Sequence, residues 1–121
     1  MIRSDWMAVA TAAALVLAGA SAHAAGVKQI SGVAAYYSKD YHGLTASGER
    51  YDPNKFTCAH RSLPFGTRVR VTDAKTHRSV VVTVNDRGPF SKGRVIDLSM
   101  AAAKQLHMLD RGLIRVTAAV Q

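Results

Sequence analysis

Valines recur at every second position between residues 67 and 72, which read TRVRVT. This period of two is typical of a strand with one buried face. Residues 79–84 (SVVVTV) are rich in β-branched side chains, and the polar residues 73–78 between the two stretches are typical of a turn. The pattern therefore predicts a β-hairpin.

Two further strands and one helix are predicted around this hairpin. Residues 32–38 are apolar and aromatic and predict a first strand, and residues 113–120 predict a last strand. Ser99 precedes the helix-forming run MAAAKQL at 100–106, so we expect Ser99 to cap a helix that stops near Gly112.

The stretch 39–54 is rich in Gly, Asp, Ser and Tyr and has little periodicity. We expect a long loop there, with one short strand at 42–45. Several strands with one short helix favour a small all-β barrel, because closing a sheet on itself removes its exposed edges.

The first two dozen residues have the composition of an export signal. Arg3 lies in a short n-region, residues 6–19 are apolar or small apart from one threonine, and Ala22 and Ala24 suit a signal peptidase. The apolar run is shorter than the roughly 20 residues of a membrane-spanning helix. We expect a cleaved signal peptide at 1–24, a short flexible segment at 25–31 and one domain at 32–121.

The net charge and the cysteine content indicate where the protein acts and which partners it binds. The formal net charge is +8, which favours polyanionic surroundings, although basicity can also simply aid solubility. With an export signal, we expect the protein to act in the periplasm or outside the cell, with cell-wall partners rather than nucleic acid. We expect no stable membrane anchor, because no cysteine lies near the cleavage region. The single Cys58 cannot form an intramolecular disulfide, so packing must hold the domain together.

Three polar segments interrupt the apolar pattern and contain the residues able to do chemistry. They read TASGERYD at 45–52, CAHRSLPFGT at 58–67 and VNDRGPF at 84–90, the last followed by GRVIDLS at 93–99. Together with GVAAYY at 32–37, they resemble in the same order the motifs of the RlpA (rare lipoprotein A-like) family. The resemblance extends from residue 32 to about residue 120.

This resemblance implies a six-stranded double-psi β-barrel with one or two short helices. It implies a lytic transglycosylase that cleaves the MurNAc–GlcNAc bond of peptidoglycan glycan strands and leaves 1,6-anhydromuramic ends. We expect a monomer without a cofactor. We also expect a single-domain form, without the C-terminal SPOR-type glycan-binding module that many members carry.

Carried over from the family, the catalytic residues fall on Asp86, Glu49 and His60. Cleaving a glycosidic bond requires protonation of the leaving oxygen, which a carboxyl group can supply. In a lytic transglycosylase the 6-hydroxyl of muramic acid is the nucleophile, so one carboxyl group can act first as acid and then as base. We assign this role to Asp86, an electrostatic role to Glu49 and an orienting role to His60.

Each of these residues also has a structural alternative. Asp86 precedes an Arg-Gly-Pro sequence and can organise a turn by pairing with arginine. Glu49 can be an ordinary loop carboxylate, and His60 can be a structural histidine that bonds the backbone. Asp97, just before the predicted helix, is assigned to helix entry rather than to catalysis.

Arginines and a tyrosine are candidates for substrate binding. Arg87 and Arg61, together with Arg94, can supply positive charge for muramic-acid carboxylates. Tyr36 and Tyr37 point to opposite faces of the predicted strand, so one is expected to line a sugar-binding groove while the other packs inside. We select Tyr37 for the groove.

Cys58 and His60 would share one face of a strand, which suggests a thiol nucleophile. Such a pair also needs an orienting third group and an oxyanion site, so we expect Cys58 to be a small core residue. The histidines show no metal-ligand spacing, and no metal is expected. Two non-catalytic functions stay open on the same barrel: an expansin-like polysaccharide-binding module and a secreted inhibitor or interaction domain.

Overall fold

A computed structural model describes residues 28–121. The predicted signal peptide and residues 25–27 of the predicted flexible segment lie outside the described residues. The elements within them are β1 Gln29–Tyr36, β2 Thr57–Ala59, β3 Arg68–Asp73, β4 Ser79–Asp86, β5 Arg94–Leu98, α1 Met100–Gln105 and β6 Ile114–Val120. No helix in residues 28–121 has the length and hydropathy needed to cross a bilayer.

The strands close into a barrel in the order β1-β5-β2-β4-β3-β6, and β6 pairs with β1. The β1–β5 and β2–β4 pairs are parallel, and the other neighbours are antiparallel. A closed six-stranded barrel with one short helix in the described part confirms the predicted fold class.

The predicted hairpin is β3 and β4, and its alternation of buried and exposed residues is confirmed. Val69 and Val71 are buried, while Arg68 and Arg70 between them point outward. On β4, alternate residues from Val80 to Val84 also face the interior. These valines join apolar side chains from the other strands and from α1 in one core inside the barrel.

The structure corrects the predicted start of the first strand and the predicted short strand at 42–45. β1 begins at Gln29 rather than at residue 32, because residues 29–31 pair with β6 at residues 117–119. The last three residues of the predicted flexible segment therefore belong to the barrel. The predicted strand at 42–45 is reduced to a single bridge between Leu44 and Arg50.

The helix begins where the sequence predicts. The hydroxyl oxygen of Ser99 accepts the Ala102 N–H at 3.3 Å, which satisfies one of the free donors of the first turn. The loop after α1 is tied back to the barrel by Arg111, whose guanidinium contacts the buried carboxylate of Asp73 at 2.5 Å.

Candidate active site

Asp86 is the last residue of β4 and follows an irregularity in the sheet. Cys58 pairs with Val84, but the next residue, Ala59, pairs with Asp86, so Asn85 is an extra residue on β4. Regular alternation would place Asp86 on the same face as Val84, which lines the core. The bulge re-aims the Asp86 side chain, which becomes partly exposed.

Three hydrogen-bond donors converge on the Asp86 carboxylate. Oδ1 accepts the backbone N–H groups of Ala46 and Arg87, each at 2.8 Å. Oδ2 accepts the hydroxyl of Tyr37 at 2.5 Å. A carboxylate oxygen accepts about two hydrogen bonds, so Oδ1 is saturated and Oδ2 keeps one acceptor position for another group.

Tyr37 belongs to a cluster of three tyrosines. Its ring stacks on Tyr51 at a centroid distance of 4.4 Å, and Tyr41 packs at an angle against both rings. Burial, followed by the hydrogen bond to Asp86, raises the pKa of Tyr37 far above its ordinary value, so the phenol stays neutral and keeps donating to Oδ2.

Neither Tyr41 nor Tyr51 is among the site residues predicted from the sequence. Tyr51 is buried, and its hydroxyl accepts the N–H of Met100 in the first turn of α1 at 3.0 Å. It thereby connects the helix to the tyrosine that holds Asp86. The recurrence of four tyrosines between residues 36 and 51 was the available signal in the sequence.

A tight turn at residues 45–49 brings Ala46 to Asp86. The N–H and the hydroxyl of Thr45 both donate to the Glu49 carbonyl oxygen, at 2.7 and 2.9 Å. Gly48 has a φ of +93°, a conformation that favours glycine. The Glu49 side chain is exposed and accepts a hydrogen bond from Ser47 at 3.2 Å, not from any group on Asp86.

His60 is connected to Asp86 through the backbone. Its N–H donates to the Asp86 carbonyl oxygen at 3.1 Å, while its Nδ1 accepts the N–H groups of Ser62 and Leu63 at 3.1 and 3.0 Å. Within the described residues, the ring makes no hydrogen bond to Asp86 or Glu49. Burial, then the positive charges of Arg61, Lys28 and Arg87, lowers the pKa of His60, which favours a neutral ring with its proton on Nε2.

The two predicted substrate-binding arginines lie in different environments. Arg87 donates from Nη1 to the carbonyl oxygens of His60 and Leu63 at 3.2 and 2.8 Å, and its guanidinium lies 4.1 Å from the ring centroid of Phe65. It therefore holds the loop after β2 in place. Arg61 is exposed on that loop.

The remaining candidates have structural surroundings. Asp97 lies in β5 and forms an ion pair with Arg94 at 3.0 Å, while Ser99 caps the helix, as predicted. Cys58 is fully buried in the core, as predicted, and burial raises the pKa of its thiol to about 12. No three His, Cys, Asp or Glu side chains converge as metal ligands within residues 28–121.

A cavity of about 530 Å³ lies beside α1, lined by Tyr36, Met100, Leu109, Lys39 and Lys104. Tyr36 also packs against the core and donates its hydroxyl to the Leu109 carbonyl oxygen at 3.0 Å. Asp86 is not among the lining residues. The cavity is therefore separate from the group formed by Asp86, Tyr37, the 45–49 turn and His60, which we call the Asp86 cluster.

The closed barrel with two parallel strand pairs defines a double-psi β-barrel protein that carries a hydrogen-bonded carboxylate at the end of β4. The chain belongs to the lytic transglycolase family, whose model matches residues 29–118.

Curated relatives confirm the resemblance to RlpA proteins. The chain is 56% identical over 88 residues to the probable endolytic peptidoglycan transglycosylase RlpA of Nostoc sp., covering 70% of this chain and 24% of that protein. It is 49% identical over 87 residues to the endolytic peptidoglycan transglycosylase RlpA of Neisseria meningitidis, covering 71% and 36%. The chain thus spans about a quarter to a third of the length of these relatives.

Solved structures with the same fold include proteins of other functions. The Streptomyces papain inhibitor matches with a TM-score of 0.63 and 27% identity, over 78% of this chain and 96% of the inhibitor. An expansin of Clavibacter michiganensis matches with a TM-score of 0.60 and 22% identity, over 78% of this chain and 50% of the expansin. The expansin likeness shows the fold alone.

Proposed function

We propose that this protein is a lytic transglycosylase that cleaves the MurNAc–GlcNAc bond of peptidoglycan glycan strands, with Asp86 as its acid and base. The observation that carries the proposal is the Asp86 carboxylate, fixed by three donors with one acceptor position left on Oδ2. Relatives named as endolytic peptidoglycan transglycosylases, about half identical to this chain, support this substrate class.

Oδ2 is the oxygen that exchanges the proton. In its protonated form Asp86 donates from Oδ2 to the glycosidic oxygen, and the bond from that oxygen to C1 of muramic acid breaks. Oδ2, now without its proton, then accepts the proton of the muramic 6-hydroxyl as O6 bonds to C1, which forms the 1,6-anhydro ring. The proton is returned to Asp86, so one carboxyl group completes the cycle without an added water.

The other residues of the site have supporting roles. Tyr37 holds Oδ2 as a neutral donor, and the neutral His60 ring offers its Nε2–H to a bound sugar. Glu49, at the end of the turn that contacts Asp86, places a second negative charge near the positive charge that develops on the sugar. Arg61 is the exposed cation for muramic-acid carboxylates, while Arg87 positions the loop that carries it.

We propose that the protein acts as a monomer in the periplasm or outside the cell, after removal of residues 1–24. The excess of positive charge suits an anionic wall. Fractionation of cells that produce the full chain tests this location. Recovery of the intact 121-residue chain from the cytoplasm would contradict it.

Mass spectrometry of digested glycan tests the activity. Purified protein incubated with stem-peptide-free glycan strands should release 1,6-anhydromuramic products, and Asp86→Asn should lower the rate by about 100-fold or more. Asp110→Asn, which removes an exposed carboxylate after α1, is the matched control and should act like wild type. Product release by Asp86→Asn at the wild-type rate would show that the assigned acid is wrong.

A second candidate function is inhibition of a cysteine protease. It is favoured by the likeness to the Streptomyces papain inhibitor, almost all of which aligns with this chain. Papain activity on a peptide substrate, measured with increasing amounts of this protein, separates the two functions. Unchanged papain activity together with anhydromuramic products supports the transglycosylase, whereas saturable inhibition without products supports the inhibitor.

A further inference from the structure

Two exposed phenylalanine rings lie against the segment that carries Asp86. Phe65 is 43% exposed and packs on the Arg87 guanidinium, one residue beyond Asp86. Phe90 is 79% exposed, the highest fraction among the large apolar side chains of residues 28–121. A Cβ built on Gly88 would lie 3.7 Å from the Phe90 ring, so this ring lies over the backbone just after Arg87.

The backbone beside each of the two phenylalanines is anchored to the barrel. A hydrogen bond from the Thr67 N–H to the Pro64 carbonyl oxygen closes the turn that contains Phe65. The Gly66 N–H donates to the Val84 carbonyl oxygen at 2.8 Å and ties this turn to β4. Phe90 follows Pro89, which is buried. The two apolar surfaces therefore stay exposed on anchored loops near one end of β4, where folding alone gains little from them.

The chemistry of these surfaces fits a sugar. The axial C–H groups of a pyranose form an apolar face, and aromatic rings present a flat apolar surface with a negative π-face. Arg61, exposed on the same loop as Phe65, adds positive charge for the lactyl carboxylates of muramic acid.

We propose that Phe65 and Phe90 form an aromatic platform that binds pyranose rings of a glycan strand on either side of the bond presented to Asp86. The choice of a peptidoglycan strand as ligand rests on the proposed function. The platform explains how a glycan strand is held in register with Oδ2 of Asp86. The hydrogen bonds of the Asp86 cluster position the carboxylate but do not position the strand.

Binding measurements on an inactive background test the platform without depending on turnover. In the Asp86→Asn chain, calorimetric titration with soluble stem-peptide-free glycan strands gives the dissociation constant. Phe65→Ala and Phe90→Ala should each weaken binding by about fivefold, the effect of one aromatic contact. Phe90→Tyr should bind like the parent, whereas Phe90→Leu should lose as much as Phe90→Ala, because the flat ring is required.

Phe56→Ala is the matched control. Phe56 is 45% exposed but lies beside Arg70, Ser79 and Val81, toward the start of β4. Its replacement should change binding by less than about twofold. Thermal unfolding of every variant verifies that the fold is kept.

Several results would overturn the platform: no binding by the parent chain, equal binding by the parent and both Phe65→Ala and Phe90→Ala, or an equal loss in Phe56→Ala. In the active chain, Phe90→Ala should raise KM with little change in kcat. If wild type releases no anhydromuramic product while the phenylalanine variants still lose binding, the proposed reaction fails and the platform stands.

Discussion

Replacing Tyr37 with phenylalanine removes only the hydroxyl that donates to Oδ2 of Asp86, and it leaves the ring stacked on Tyr51. A hydrogen bond to a charged group contributes about 1.5–3 kcal/mol, and the lower end applies because the pair is only partly buried. We expect Tyr37→Phe to lower the free energy of unfolding by about 1.5 kcal/mol at pH 7.

The difference between wild type and Tyr37→Phe should shrink at high pH. The pKa of Tyr37 is raised by folding, so above its unfolded value of 10.0 the folded chain holds a proton that the unfolded chain releases. Stability from such a group is complete below pH 10 and falls as the pH rises, by at most about 1.4 kcal/mol per pH unit. Because solvent around the half-buried ring reduces the effect, the unfolding free energy of wild type should fall by about 1 kcal/mol by pH 11 through the titration of Tyr37.

Urea unfolding of both chains between pH 7 and pH 11 measures the effect. The difference in unfolding free energy should fall from about 1.5 to about 0.5 kcal/mol. Tyr51, whose pKa is also raised by burial, is present in both chains and cancels. Tyr41→Phe, which removes a hydroxyl bonded to the neutral Leu44 carbonyl, is the control at pH 7 and should cost less. A difference that stays constant to pH 11 would refute the reasoning.

Other substitutions test the anchoring of the site and of the barrel. Arg87→Ala removes the hydrogen bonds to the carbonyl oxygens of His60 and Leu63, so urea unfolding should show a loss of about 2 kcal/mol. Asp73→Asn removes the buried partner of Arg111 and should cost about 3 kcal/mol. Burial alone would raise the pKa of Asp73, but its hydrogen bonds, chiefly from Arg111, lower it to about 2. Wild type should therefore lose about 2 kcal/mol more than Asp73→Asn between pH 5 and pH 2, and equal losses would contradict this.

The hairpin strand β3 and the start of α1 could be predicted from the local sequence pattern alone. The alternation in β3 needs only its own residues, because period two directly reports one buried face. Ser99 before a run of helix formers predicts the cap for the same reason. β2 has three residues, too few to show a period, and it exists because β4 and β5 flank it.

The geometry of the site depends on contacts that the sequence does not display. Tyr37 and Asp86 are 49 positions apart, and their hydrogen bond requires the barrel to close. The bulge at Asn85 arises from the offset between β2 and β4, so alternation along β4 alone would have pointed Asp86 into the core. The hydrogen bonds that the His60 ring accepts from Ser62 and Leu63 are local contacts within one loop. They correspond to the structural alternative predicted for His60.

The most direct test of Asp86 as acid and base is cleavage of stem-peptide-free glycan in heavy-oxygen water, with the products analysed by mass spectrometry. Wild type should yield 1,6-anhydromuramic ends without the heavy isotope, because the sugar's own 6-hydroxyl is the nucleophile, and Asp86→Asn should yield almost none. Heavy oxygen at new reducing ends would show hydrolysis instead. Unlabelled anhydro ends from Asp86→Asn at the wild-type rate would show that another group transfers the proton.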